Sequence, residues 1–513
     1  MCTLVTLVRM LRNLLAPFLI TCSIQVFAQA PYVAPTDTAV AAKLERWKDL
    51  KFGLLMHWGP YSQWGVVESW SICPEDEGWC ERKPEHGATY NEYVKNYEAL
   101  QTTFDPVKFD PDKWARAAKD AGMKYVVFTT KHHDGFCMFD TKLTDYRVTD
   151  PKCPFHDDPR ANLAKGVFDA FRNEGLWTGA YFSKPDWHSP YYWWPYFPPK
   201  DRNVNYLPTR YPERWQQFKD FTSGQIEELM TGYGPMDILW LDGGQVRPLN
   251  TIDTNVSWQK AILIDQNIDM ASIAAMARKH QPGLLVVDRT VGGEYENYVT
   301  PEGHVPDADL GVPWETCMPM GTSWSWVPNE KYKSTDEIIR TLVSVVSRGG
   351  SLLLNVAPGP DGQLDSTAYV RLKEVGEWLK VNGEAVYGTN VLPVSDLWLT
   401  YDLDTVPGNR PTQQGITTPV LGATAVRGKT KGVRHSLISY LFVDLTSDPV
   451  VVLDARSYHP SSKFDVLDPG VRLSIERNDE NTRLKLRSKQ MTGIAVVRIA
   501  SPVIYRRQPH IRR

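Results

Sequence analysis

From Leu44 to Asn382 short apolar runs alternate with longer stretches in which apolar residues return every three or four positions. The runs are "KFGLLMHW" ending at Trp58, "YVVFTTKH" ending at His132, "LWTGAYFS" ending at Ser183, "DILWLDG" ending at Gly243, "LLVVDR" ending at Arg289, "VPWETC" ending at Cys317 and "SLLLNV" ending at Val356. Strand-length runs separated by helical patterns predict βα units around a parallel sheet. In "DPDKWARAAKDAG" the helix signals are complete: Asp110 caps, Pro111 opens the first turn and Gly122 closes it. Seven such strands predict a (β/α)8-like barrel with one strand hidden from the pattern, rather than an open doubly wound sheet. No GxGxxG follows the first strand.

The pattern changes after "WLKVNGEAVYGT" (Trp378 to Thr389). The runs "HSLISYLFVDL", "VVVLDA", "VRLSIERNDENTRLKLRS" and "GIAVVRIA" alternate with a period of two, and "NDEN" (Asn478 to Asn481) reads as a hairpin turn. An all-β sandwich is expected over 391–513, after a barrel over 29–390. At the other end, Arg9 and Arg12 precede an apolar stretch from Leu14 to Phe27 that contains Pro17 and closes on small residues. This reads as a signal peptide over 1–28, cut after Ala28, and is short for a membrane-spanning anchor.

Composition narrows the function. A formal charge of −3 without any block of like charges leaves no electrostatic footprint for nucleic acid. The 18 Trp and 23 Tyr are enough to furnish both a core and flat surfaces for sugar rings. Beyond the leader the cysteines are Cys73, Cys80, Cys137, Cys153 and Cys317, an odd number, with Cys73 and Cys80 the first candidates for a pair. No CxxC or HxxxH spacing points to a structural zinc site.

Reactive side chains gather at one end of the expected strands: His57, His132, His133, Tyr181, Asp242, Arg289 and Glu315 fall at or near the C-terminal ends of six different runs. That end is the catalytic face of such a barrel. Asp242 in "ILWLDGG" is the candidate nucleophile, a carboxylate at a rigid strand end followed by glycines that admit a ligand. Attack at a sugar carbon needs a second carboxyl as acid and base. The stretch from Val286 to Asp307 offers Glu294, Glu296 and Glu302, and periodicity does not choose among them. The histidines could instead hold a metal, but the usual His-x-His pair is absent, and neutral imidazoles with an Arg and Trp faces suit hydroxyl recognition better.

With these residues in hand, the chain resembles the α-L-fucosidases of glycoside hydrolase family 29. The resemblance runs from Trp47 to Thr389 through "KFGLLMHWGPYS", "AGMKYVVFTTKHHDGFCMFD", "LMTGYGPMDILWLDGG", "PWETCMPMGTSWSW", "GGSLLLNVAPGPDG" and "NGEAVYGT". It implies a barrel followed by a β-sandwich, double displacement with retention, and neither metal nor other cofactor. Carried over by motif, Asp242 would be the nucleophile. His57, His132 and His133 would hold fucose hydroxyls, Tyr181 and Arg289 would contact the sugar, and Trp324 would face its C6 methyl. Glu68 and Trp70 resemble a Glu-Trp contact pair, here interrupted by Ser69. The "TPE" segment makes Glu302 the first choice for the acid/base and Glu294 the second. Ser351 stands where the family commonly has Asn, while Asn355 is retained.

The function expected is therefore an exported, exo-acting α-L-fucosidase acting on a fucosylated oligosaccharide, glycoprotein or polysaccharide. Its compartment would be periplasmic, extracellular or lysosome-like. The competing readings are a fucose-binding protein that has lost catalysis and a barrel glycosidase for a related sugar.

Overall fold

The computed structural model describes residues 32–75 and 80–391, together with 420–426, 436–446, 450–454, 458, 460–479, 481–488 and 493–502. The expected leader lies outside these residues. Seven strands, β1 (Phe52–Met56), β2 (Tyr125–Lys131), β3 (Trp177–Ser183), β4 (Ile238–Asp242), β5 (Leu285–Val287), β6 (Glu315–Pro319) and β7 (Ser351–Asn355), form one sheet in the order β5-β4-β3-β2-β1-β7-β6. Every pairing in it is parallel. Among the helices between and after the strands are α1 (Pro111–Asp120), α2 (Leu163–Asn173), α3 (Pro212–Gly232), α4 (Met270–His280), α5 (Thr335–Val346) and α6 (Ser366–Asn382). Asp110 caps α1 by accepting from the Lys113 N–H at 2.9 Å, and Gly122 follows its end at φ +89°, as the sequence predicts.

The two edges of the sheet meet through a segment that is not a regular strand. On the β5 side, the Asn297 N–H donates to the Val286 carbonyl and the Asp288 N–H to the Tyr295 carbonyl. On the β6 side, the Glu315 and Cys317 N–H groups donate to the carbonyls of Val299 and Pro301, and the Gly303 N–H donates to the Cys317 carbonyl. The segment 295–303 thus bridges the edges of the (β/α)8-like barrel sheet, antiparallel to β5 at Glu296 and parallel to β6 at Glu302. Its polar, glycine-flanked sequence lacks the continuous apolar run that marks the other strands.

Burial on both faces explains those runs, because the side-chain period of two sends alternate residues to different cores. Phe52, Leu54, Val126, Phe128, Leu239, Leu241, Leu352 and Leu354 pack outward in the cluster that includes the helices. Leu55, Tyr125, Val127, Tyr181, Ile238, Trp240, Leu285, Val287 and Leu353 pack inward. The inward row sets the site: His57 lies two residues beyond Leu55, Asp242 two beyond Trp240, and Arg289 two beyond Val287. Gly53 is required by close approach, since a Cβ there would lie 2.3 Å from the Tyr125 ring.

Glu315 corrects the sequence reading. It opens β6 instead of ending it, and is fully buried below the catalytic face. There it accepts from the Tyr125 hydroxyl at 2.5 Å and from the Trp240 indole at 3.2 Å. The strand begins later than the apolar run because Pro313 has no N–H to give a ladder. The expected Cys73–Cys80 pair is also not formed, and both residues are free thiols.

Beyond the barrel the strands are antiparallel. β8 (Thr389–Val391), β9 (Val420–Val426), β10 (Ser436–Asp444), β12 (Lys463–Val466) and β15 (Ile494–Pro502) share one sheet, and β11 (Val450–Asp454), β13 (Val471–Arg477) and β14 (Asn481–Ser488) another. The turn at Asn478 joins β13 to β14 as a hairpin, with Arg477 opposite Thr482. Alternation again divides the side chains. Tyr440, Phe442, Ile494 and Val496 join the barrel's outer core, whereas Leu441, Val443, Ala495 and Val497 face the second sheet. Arg340 of α5 clamps Asp444 with two hydrogen bonds of 2.7 and 2.9 Å, which holds that carboxyl well below the usual range. No helix among the described residues is long and apolar enough to cross a membrane.

Candidate active site

A cavity of about 910 Å3 opens at the C-terminal ends of the strands. It is lined by His57, Glu68, Trp70, His132, His133 and Tyr181, and equally by Asp242, Arg289, Glu302 and Trp324. Of the candidate catalytic and sugar-contact residues the sequence singles out, Glu294, Glu296 and Glu315 stand outside it. Glu294 accepts from the Thr36 hydroxyl at 2.9 Å on the outer surface. Glu296 is buried behind the wall, where desolvation and the neighbouring Asp288 raise its carboxyl to about 7.

At the centre, Asp242 is gripped through both oxygens. Oδ1 accepts from Arg289 Nη1 at 2.7 Å and Oδ2 from the Tyr181 hydroxyl at 2.7 Å, with His133 Nε2 at 3.9 Å from Oδ2. Burial on its own would raise this carboxyl; Arg289, then His133 and the Tyr181 hydroxyl, outweigh it and hold the group well below the ordinary range. Asp242 is therefore ionised. Gly243, at φ +95°, follows it, and a Cβ there would lie 2.1 Å from Pro185.

Arg289 also reaches the second carboxylate. Its Nη2 donates to Glu302 Oε2 at 2.6 Å and its Nε to Thr300 Oγ1 at 2.9 Å, so one guanidinium spans Asp242 and Glu302. The face of Trp240 lies 4.5 Å below it. Burial opposes its charge, but the two carboxylates more than compensate and raise its pKa further. The backbone of Arg289 is left-handed at φ +61° and follows a buried lock in which Lys184 bonds Asp288 at 2.6 Å and also Thr290.

The histidines answer to different partners. His57 Nδ1 is 3.0 Å from Asn355 Oδ1, and the Asn355 amide donates at 2.7 Å to the carbonyl of Trp324, whose ring is tilted against His57. His132 Nδ1 is 2.6 Å from the Ser69 hydroxyl, which also accepts from the Asp134 N–H at 3.0 Å. Ser69, the residue that interrupts the Glu-Trp pair, is thus the support of a histidine. His133 packs between the edges of Trp70 and Trp187 at centroid distances of 5.3 and 5.0 Å. Burial lowers all three imidazoles, against the Asn355 bond for His57, with His133 and His57 adding to the effect for His132, and to about 4 for His133. They are neutral near pH 7 and each offers a donor and an acceptor. Glu68, at φ +33° and 2% exposed, has its carboxyl raised by burial to about 8.

Comparison with known proteins agrees with this arrangement. The profile of the family described as Alpha-L-fucosidase matches residues 19–384. The chain belongs to the alpha-L-fucosidase family. Among its relatives, the human plasma alpha-L-fucosidase is 27% identical over 387 residues, covering 70% of this chain and 74% of that protein. Mouse tissue alpha-L-fucosidase is 28% identical over 365 residues, covering 67% and 72%. Of solved structures, alpha-L-fucosidase isoenzyme 1 from Paenibacillus thiaminolyticus superposes with a TM-score of 0.65 at 26% identity, covering 91% of this chain and all of that one. The Thermotoga maritima alpha-fucosidase in complex with a mechanism based inhibitor gives 0.62 at 25%, covering 92% and 97%.

The ligating atoms of His132, His133 and Asp242 lie within 4.8 Å of one another, a spacing a metal ion could use. Arg289 and Tyr181 already occupy both oxygens of Asp242, and Ser69 engages His132, so a cation would have to displace a guanidinium. What the site offers is an ionised carboxylate, a second one within reach of the same arginine, and neutral hydrogen-bonding rings.

Proposed function

We propose that this chain hydrolyses terminal α-L-fucosides with retention of configuration. The single observation that carries the reading is the shared guanidinium of Arg289, which brings Asp242 and Glu302 to one point of the cavity. Two carboxyls gripped by one guanidinium suit double displacement, for which a separation of about 5 Å is typical, whereas inversion needs room for a water between them.

In the first step Asp242 attacks the anomeric carbon while a protonated Glu302 gives its proton to the departing glycosidic oxygen. Attack converts the carboxylate of Asp242 into an ester, so the interaction with Arg289 weakens as the bond forms and the guanidinium is freed to follow the acid. In the second step the Glu302 carboxylate takes a proton from water, the hydroxide adds to the anomeric carbon, and Asp242 leaves as a carboxylate. The lowered carboxyl of Asp242 makes it a competent leaving group there. The neutral His57, His132 and His133 exchange hydrogen bonds with the sugar hydroxyls, and Trp324 and Trp70 supply apolar faces for the ring and its methyl. Glu68 stays protonated below pH 8 and acts as a hydroxyl donor. The domains assigned are a leader over 1–28, which exports the protein, a catalytic barrel over 29–390 and a β-sandwich over 391–513.

The test uses 4-nitrophenyl α-L-fucoside with Asp242→Gly and Glu302→Ala, each with and without azide. Loss of activity in both variants is expected, with azide rescuing Asp242→Gly to a β-fucosyl azide and Glu302→Ala to an α-fucosyl azide. The opposite pairing of products would exchange the two roles. A wild type that binds fucose but turns over neither this substrate nor a set of fucosylated oligosaccharides would make the chain a binding protein.

A further inference from the structure

The cavity has one wall that the sugar-binding residues leave unused. Trp258 lines it and is 42% exposed, and among the described residues it is the sole exposed large apolar side chain that does so. Its ring tip lies against Gly244, two residues beyond Asp242, so closely that a Cβ on Gly244 would sit 2.6 Å from it. The wall is thus joined directly to the strand end that carries Asp242.

A lone exposed tryptophan is ordinarily a mobile surface residue, but this one sits on a tied loop. Arg247, 4% exposed, donates from Nε to the Gly244 carbonyl at 2.7 Å and from Nη1 to the Gln259 side chain at 2.8 Å and the Thr251 carbonyl at 3.1 Å. Gln259 follows Trp258 directly, and its Oε1 also accepts from the Asp253 N–H at 2.8 Å. One buried arginine therefore fixes both ends of the loop from 244 to 259. Its guanidinium lies 5.6 Å from the Trp258 ring. Holding a partly exposed indole in one place gives up side-chain entropy while leaving 42% of its surface in water, where a stacked ring could cover it.

We infer that Trp258 is the platform for the residue to which fucose is attached, and that this residue is a pyranose with an apolar face. The inference rests on the fucosidase reading above. With the terminal sugar enclosed among the histidines, the departing group extends toward solvent, and Trp258 is the cavity-lining apolar side chain most open to it among the described residues. A flat indole face there selects leaving groups that stack on it, and a preorganised one does so without the cost of ordering a loop. Trp258 would act on specificity and not on the bond-making step.

The experiment compares two substrates that differ only in the leaving group: α-L-fucosyl fluoride, whose leaving group is a single atom, and a fucosyl disaccharide. For each, kcat/KM is measured with the wild type, Trp258→Ala and Trp258→Phe. The disaccharide-to-fluoride ratio is expected to fall about tenfold in Trp258→Ala, mostly through KM for the disaccharide, and to recover in part in Trp258→Phe. A ratio that stays the same, whether both values hold or both fall, overturns the assignment. A wild type inactive on the fluoride as well as the disaccharide would instead overturn the fucosidase reading itself, which separates the two failures.

Discussion

Arg289 holds Asp242 at 2.7 Å through one arm of its guanidinium while the other arm holds Glu302. The arginine therefore sets the distance between two groups that would otherwise repel each other, and it keeps the first of them ionised. Replacing it with lysine preserves the charge but not the fork, since an ammonium cannot span both carboxylates in the same plane. Arg289→Lys is expected to lower kcat/KM about a hundredfold. Steady-state rates on an aryl fucoside check this, and a loss of less than about threefold would show that the bridge is not needed.

The sign of the accompanying pH effect follows from the same contact. With Arg289 present the Asp242 carboxyl titrates below its ordinary value of 3.8, so the pairing is fully present above that value and is lost as pH falls through the folded one. In Arg289→Met the folded carboxyl rises. The acid limb of kcat/KM for this variant should move to higher pH than in the wild type, read from a pH profile between pH 3 and 8.

Asn355 lies 298 positions from His57 in sequence and bonds its ring at 3.0 Å. Removing the amide in Asn355→Ala strands a buried imidazole nitrogen and the Trp324 carbonyl. The expected cost is about 1–3 kcal/mol of stability, by chemical denaturation. A rise in KM for the fucoside about tenfold should accompany it, because the donor and acceptor roles of His57 are no longer set.

Two buried groups pull the stability of the fold in opposite directions with pH. His133 titrates at about 4 when folded against 6.5 when unfolded, so its contribution is lost as pH falls from 6.5 toward 4, by up to about 3 kcal/mol. Glu68 titrates at about 8 when folded against 4.5, so its contribution is lost as pH rises from 4.5 through 8, by up to about 5 kcal/mol. Glu296 and Glu315, each raised by burial to about 7, add to the alkaline loss. Melting temperature should peak in mildly acid solution, and Glu68→Gln should flatten the alkaline side. An alkaline slope equal to that of the wild type would show that Glu68 does not titrate in this range.

The strands and the inward row they carry were legible because each is local: a continuous apolar run, then a polar residue in step with it, as with Leu55 and His57 or Trp240 and Asp242. What was not legible depends on partners far along the chain. Nothing near Ser69 indicates that it supports His132, and the Asn355 bond to His57 exists only once β7 lies beside β1. Glu315 misled because the run "VPWETC" has the composition of a strand but Pro313 shifts where its ladder begins. The choice of Glu302 over Glu294 rested on resemblance alone. Geometry separates them, since one meets Arg289 in the cavity and the other meets Thr36 on the outside.

The two carboxylates are mounted in unlike ways. Asp242 ends a ladder strand buried on both faces, so its coordinates are dictated by the barrel. Glu302 rides on the irregular piece from 295 to 303, tied by a few backbone bonds to the strands on either side. Asp242 is thus part of the chassis and Glu302 is an attachment. Lengthening the exposed turn at Gly303 and His304 would change the reach of Glu302 while leaving Asn297 and Tyr298 buried in place, which makes this turn the natural point at which to graft a new leaving-group preference onto the same barrel.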